Sequence, residues 1–234
     1  MYQPFPGYDF HYFSQYEFHG LIIRDPITSI GNLFLCLIGL WCFRKIAKFK
    51  SSQSEEIRAG VRGWQLFFLI SAIAYSFGIP VHGFSYYIPA EIHLPIWITM
   101  GWIQISGIYF VQVGTAKRYF PEKLKWIRPL AIFQAVFFCA LMVYIRKFGA
   151  VNIDIAVGLI PIALWNLYLY SKKKNSSSLI GWGILFAGIP GLVVAFKIMF
   201  APWFSYNDFA HLALVVSLLM ICRGLVKCLE SGTY

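Results

Sequence analysis

The side chains in this sequence with chemistry to offer are few: five histidines and ten carboxylates. His11 and His19 precede the first long apolar stretch. His82 closes the second stretch, His93 opens the third, and His211 lies in the first turn of the last. Imidazole is the commonest biological metal ligand, and a catalytic zinc takes three protein groups plus water. His82 and His93 flank a short connection, residues 83–92, so their helix ends must be neighbours. Asn207 and Asp208 stand four and three residues before His211, on the same helical face. This pattern predicts a zinc site of His82, His93 and His211. Asp208 is the expected base for the metal-bound water, with Asn207 beside it in a catalytic position. Several imidazoles would also suit copper, nickel or iron. A lone His or Asp at a membrane boundary often only caps a helix or meets headgroups. Three of them from three helix ends are what point to a site.

Other candidates are weaker. Lys197 reads as a snorkelling amine. Asp154 either joins the site or bonds a neighbouring helix. Cys36, Cys42, Cys139, Cys222 and Cys228 lie in or beside apolar segments and read as packing residues rather than a disulfide framework. No phosphate-cradling Gly loop, Ser elbow or Cys-x-x-Cys is present. The first twenty residues hold no Lys or Arg and do not have the form of a secretory signal.

The elements that must position these groups follow from composition. Of 234 residues, 59% are hydrophobic and 13% charged, and the mean hydropathy is +0.63. A water-soluble domain carries about 25% charged residues. A soluble globule, a disordered tail and a disulfide scaffold are thereby excluded. Seven stretches approach the ~20 residues a bilayer-spanning helix needs, near 26–43, 63–82, 92–113, 128–145, 150–170, 178–200 and 208–226. Barrel strands would be half as long and alternating. Internal Gly and Pro, including Gly188 and Pro190, are tolerated in membrane helices. The expected fold is an all-α seven-helix membrane bundle: an outer segment 1–25, a membrane domain 26–227 and a short cytoplasmic tail 228–234.

Net charge is +10, but nucleic-acid binding is not indicated, because the basic residues sit in short runs between spans. Sixteen of the twenty Lys and Arg residues fall on one side: between spans one and two, three and four, five and six, and at the C-terminal end. The positive-inside rule places that side in the cytoplasm and the N-terminus outside. All five histidines then lie at or near the outer face.

Tyr16-Glu17, Gly20 to Pro26 and Ser29-Ile30-Gly31-Asn32-Leu33, then Gly78-Ile79-Pro80-Val81-His82 and Asn207-Asp208-Phe209-Ala210-His211, resemble motifs of the alkaline ceramidases. Those enzymes belong to a wider superfamily of seven-span membrane hydrolases that also includes adiponectin-type receptors. The stretch that opens the first span resembles that family's acidic residue followed seven positions later by Asn, as Asp25 is by Asn32. Gly78 stands where the family has Ser, His93 where it has Asp, and Asn207 where it has the first His of a His-x-x-x-His. The resemblance implies that His82 and His211 are zinc ligands, with His93 supplying the third imidazole. It further implies a calcium site for which Glu17 and Asp25 are the only candidates.

The expected function is zinc-dependent hydrolysis of a membrane lipid amide or ester, with the acyl chain in the apolar bundle. The partners are the bilayer and its lipids; the oligomeric state is not legible. The competing class is a non-catalytic seven-helix receptor or transporter with an outward-facing polar ligand site. A retinal protein is disfavoured, since residues 208–226 contain no Lys. No repeated halves point to a transporter. A relative that kept the metal and lost catalysis is a third possibility.

Overall fold

The computed structural model describes residues 15–49, 54–173, 176–198, 201 and 204–232. Of the described residues, 83% are helical. A two-stranded antiparallel hairpin, β1 (Gln15–Phe18) and β2 (Leu21–Arg24), precedes eight helices. These are α1 (Pro26–Ala47), α2 (Glu55–Gly83), α3 (Ala90–Tyr119), α4 (Leu124–Ile145), α5 (Gly149–Lys173), α6 (Ser177–Phe186), α7 (Gly188–Ala195) and α8 (Tyr206–Glu230). With α6 and α7 taken as one interrupted span, seven helical segments among the described residues are long and apolar enough to cross a membrane.

The expected spans fall inside these helices, several of which run longer. α2 begins at Glu55 and α3 continues to Tyr119, because charged residues at a helix end extend it beyond the apolar stretch. The sixth span differs most. It breaks at Ala187 and ends at Ala195 instead of 200; residues 199 and 200 lie outside the described residues. The break follows from Gly188-Ile189-Pro190, since Pro190 has no N–H to offer the carbonyl of Phe186 one turn back. The hairpin was not expected. Its two-residue turn, His19 (φ 49°) and Gly20 (φ 81°), has the left-handed geometry that joins tightly paired strands.

Helices α1, α2, α3, α5, α6 and α8 form a ring in which each packs on the next, closed where α8 meets α1; α4 lies outside against α3 and α5. α4 is the most exposed of the candidate spans and α8 the most buried. The main apolar core joins α1, α2, α3, α5, α6 and α8 through Leu35, Ile46, Phe68, Ile108, Val111, Ile180 and Ile221. A smaller one, around Ile105, Met142 and Val151, holds α4 to α3 and α5. Both leave one end of the ring, where α1, α3 and α8 begin and α2 ends, to polar side chains.

Candidate functional site

Four helix ends build the polar cluster. Asp25 is the N-cap of α1 in a left-handed conformation (φ 42°) and makes no capping bond with its side chain; it is 2% exposed. Pro26 at the first helical position fixes where α1 starts. Its carboxylate lies toward the end of α2, where Asp25 Oδ2 stands 3.9 Å from His82 Nδ1. That separation is beyond a hydrogen bond and within the range of charge attraction.

His211, one turn into α8, meets His82 edge to face, with ring centroids 5.7 Å apart. Its Nδ1 lies 2.7 Å from the backbone carbonyl of Asn207. A carbonyl only accepts, so Nδ1 carries the proton and Nε2 presents its lone pair. Asn207 thus acts through its backbone. Gly31 of α1 allows this placement: a Cβ there would come 2.8 Å from His211 Cβ.

Asp208 is fully engaged. Its Oδ1 accepts from Thr28 Oγ1 at 2.6 Å. Its Oδ2 accepts from the Ser205 N–H at 2.7 Å and from Ser205 Oγ at 2.9 Å. Ser205 Oγ in turn accepts from the Asp208 N–H, completing a capping box at the start of α8. Asp208 therefore starts α8 and fastens it to α1.

His93 takes a different direction. It is buried, its ring bonds the backbone of Val81, and it stacks on Trp97 with centroids 6.4 Å apart. The Trp97 ring also packs against His82 at 5.9 Å. His93 braces the α2–α3 corner and reaches His82 by way of Trp97. Asn32, 2% exposed, donates to the Thr28 carbonyl at 3.0 Å and fills the space beside Gly78. A Cβ at Gly78 would fall 2.4 Å from Asn32 Oδ1, so the seryl side chain of the resembling family has no room here.

Glu17 is exposed on β1 while Asp25 is buried at the α1 cap, so the two expected calcium carboxylates occupy different surroundings. His19 forms the hairpin turn; His11 lies outside the described residues. Of the residues read from sequence, His82, His93, His211, Asp25, Asp208 and Asn32 lie at one end of the bundle, with His82 and His211 in direct ring contact. Thr28 and Ser205, which hold Asp208, and Trp97 were not foreseen.

Among the described residues, no group of three or more His, Cys, Asp and Glu side chains closes on a common point to hold a metal ion. Two imidazoles sharing one ion at ~2.1 Å per Zn–N bond have ring centres roughly 5–6 Å apart. The His82–His211 pair already has that spacing, and Asp25 is the carboxylate beside it. The donor types, nitrogen and oxygen, fit zinc.

No curated protein and no solved structure matches the chain. A protein-family model matches residues 27–230, all seven candidate spans but for their outermost residues, and its family is described as one of unknown function (DUF6962). The chain belongs to that family.

Proposed function

We propose that this protein is a multi-pass membrane hydrolase that cleaves a lipid amide or ester at the polar end of its bundle, with His82, His211 and Asp25 as the groups that hold a zinc ion. The observation that supports this reading most is the His82–His211 edge contact with the buried Asp25 carboxylate beside it. Isolated ionisable groups in or near spans are costly, and they gather where function needs them. Zinc, when bound, supplies a Lewis acid and an activated water.

The chain's own groups have separable roles. The Asn207 carbonyl fixes the His211 tautomer so that Nε2 is the donor. Asp25 brings its carboxylate within 3.9 Å of the His82 ring. Asp208 holds α8 against α1 and so keeps His211 beside His82. His93 and Trp97 wall the α2 side. The bundle's lipid-facing surface accepts the acyl chain. Lys and Arg asymmetry orients the molecule with its N-terminus and site on the non-cytoplasmic side and its C-terminus in the cytoplasm.

A second reading, a non-catalytic ligand-binding protein of receptor or transporter type, is favoured by Gly78, which offers no hydroxyl where the resembling hydrolases have one. Elemental analysis of detergent-purified protein, with assay of fatty-acid release from long-chain amides and esters, separates the two. Hydrolysis predicts about one zinc per chain, lost together with activity in His82→Ala and His211→Ala. Zinc without product favours the second reading, and absence of metal overturns the first.

A further inference from the structure

The register of the hairpin sorts its side chains onto two faces. Tyr16 pairs with Ile23 and Phe18 with Leu21, whereas Gln15 pairs with Arg24 and Glu17 with Ile22. Directly paired residues share a face. One face is therefore Tyr16, Phe18, Leu21 and Ile23, entirely apolar or aromatic. It is open: Phe18 is 68% exposed, Tyr16 50% and Leu21 41%. Among the described residues, the ribbon is tied to the α2–α3 connection by a backbone bond and a side-chain contact from the other face. The Ile22 N–H donates to the Tyr87 hydroxyl at 2.8 Å, and the Arg24 guanidinium lies 5.2 Å over the Tyr86 ring.

An exposed apolar face on a short ribbon needs an occupant, and chain continuity identifies it. Arg24 is two residues ahead of Pro26, the first residue of a candidate span. Each four-residue strand is about 13 Å long, and the headgroup layer beyond the hydrocarbon is roughly 5–8 Å deep per leaflet. The ribbon is longer than that layer is deep, so it stays within the layer by lying along it, rooted at the end of α1 and held to the α2–α3 connection through Tyr86 and Tyr87. Its mixed chemistry, with aromatic and aliphatic groups on one side and Gln15, Glu17 and Arg24 on the other, suits a boundary between acyl chains and water.

We infer that the β1–β2 hairpin is a lipid-binding paddle that lies in the headgroup layer at the His82–His211 end, with Tyr16, Phe18 and Leu21 against the acyl chains of that leaflet. The paddle runs directly into Asp25, so its seating on lipid also sets where α1 begins and where that carboxylate sits. Lipid contact stands whether or not the polar cluster hydrolyses lipid.

The test is photo-crosslinking of the full chain in phosphatidylcholine vesicles, with benzoylphenylalanine in place of Phe18 or, as the opposite-face control, Glu17. Lipid adducts several-fold more abundant from position 18 than from position 17 are expected. Equal labelling, a covalent dimer, or a crosslink from position 18 to residues 1–14 of the same chain overturns the paddle. Wild-type protein in vesicles containing a phosphatidylcholine with a photoactivatable acyl chain provides a second measurement that no folding defect can affect. Label on the peptide spanning residues 15–24 is expected, and its absence overturns the inference.

Discussion

At the scale of single residues, two buried carboxylates on different helix ends divide the work. Asp208 receives three hydrogen bonds to its side chain, and a bond to a charged group contributes about 1.5–3 kcal/mol. Asp208→Asn replaces one accepting oxygen with a donor facing donors, and should destabilise the protein by about 2 kcal/mol or more in reversible unfolding in detergent. Thr28→Val should cost less. A double-mutant cycle between the two should show coupling near ~1 kcal/mol, whereas additivity would remove the α1–α8 link. Asp25→Asn should leave unfolding within about 1 kcal/mol of wild type while lowering metal content and hydrolysis by roughly tenfold or more; equal loss of stability would make Asp25 a structural group. The sequence placed Asp25 with Glu17 because both are N-terminal acids. Only the left-handed cap, invisible without coordinates, turns its side chain to His82. His82 and His211 were legible because helix ends at one level follow directly from span counting, whereas His93 was placed by level alone and its ring direction depends on Trp97 and Val81.

Between elements, α1 is held on both sides by close contacts in which an added Cβ would force a neighbour to shift. Gly31 admits His211, Gly78 admits Asn32, and a Cβ at Gly83 would meet Ser29 Oγ at 2.7 Å. Restoring a hydroxyl with Gly78→Ser should therefore cost about 1–3 kcal/mol by overpacking. Gly78→Ser combined with Asn32→Ala should recover most of that loss. Failure of the double variant to recover would show that the strain lies elsewhere. A second set of elements is tied in the membrane interior. Gln112 of α3 donates to Gln134 of α4 at 3.0 Å, and Gln134 donates to Asp154 of α5 at 2.7 Å. This settles the sequence alternative for Asp154 in favour of a neighbouring helix. Its Oδ2 has no hydrogen-bond partner among the described residues. Asp154→Asn should be tolerated within about 1 kcal/mol. Gln134→Leu strands two buried partners and should cost about 1–3 kcal/mol; the reverse order of stabilities would contradict the network. Hydropathy made the spans legible because length and apolarity are summed over ~20 residues. It could not resolve the hairpin, whose alternating pattern is only four residues per strand, nor the break at Ala187, where one Pro outweighs an apolar average.

For the molecule as a whole, the ring of helices separates two environments. One end collects the buried Asp25, Asp208, Asn32 and His93, and the remainder is a mainly apolar core, crossed by the Gln112–Gln134–Asp154 network and faced outward by residues such as Phe133, Val136 and Tyr144. The orientation proposed from Lys and Arg makes a direct prediction. A reporter fused after Tyr234 should be active only if it functions in the cytoplasm, and a glycosylation acceptor introduced between Arg146 and Lys147 should be modified in a eukaryotic membrane. The opposite pattern would invert the molecule. That asymmetry was readable from sequence because charge counts need no coordinates. Ring closure by α8 on α1 was not, since nothing in the apolar pattern says which spans are neighbours.

The Thr28–Asp208 bond joins residues 180 positions apart, the first span to the last. A ribosome adding roughly 5–20 residues per second needs on the order of ten to forty seconds to cover that interval. Throughout it α1 waits in the bilayer with the Thr28 hydroxyl lacking the Asp208 carboxylate that α8 will bring. The polar end is thus the last part of the molecule to exist, and a chain truncated anywhere before α8 leaves its first helix exposed to membrane quality control.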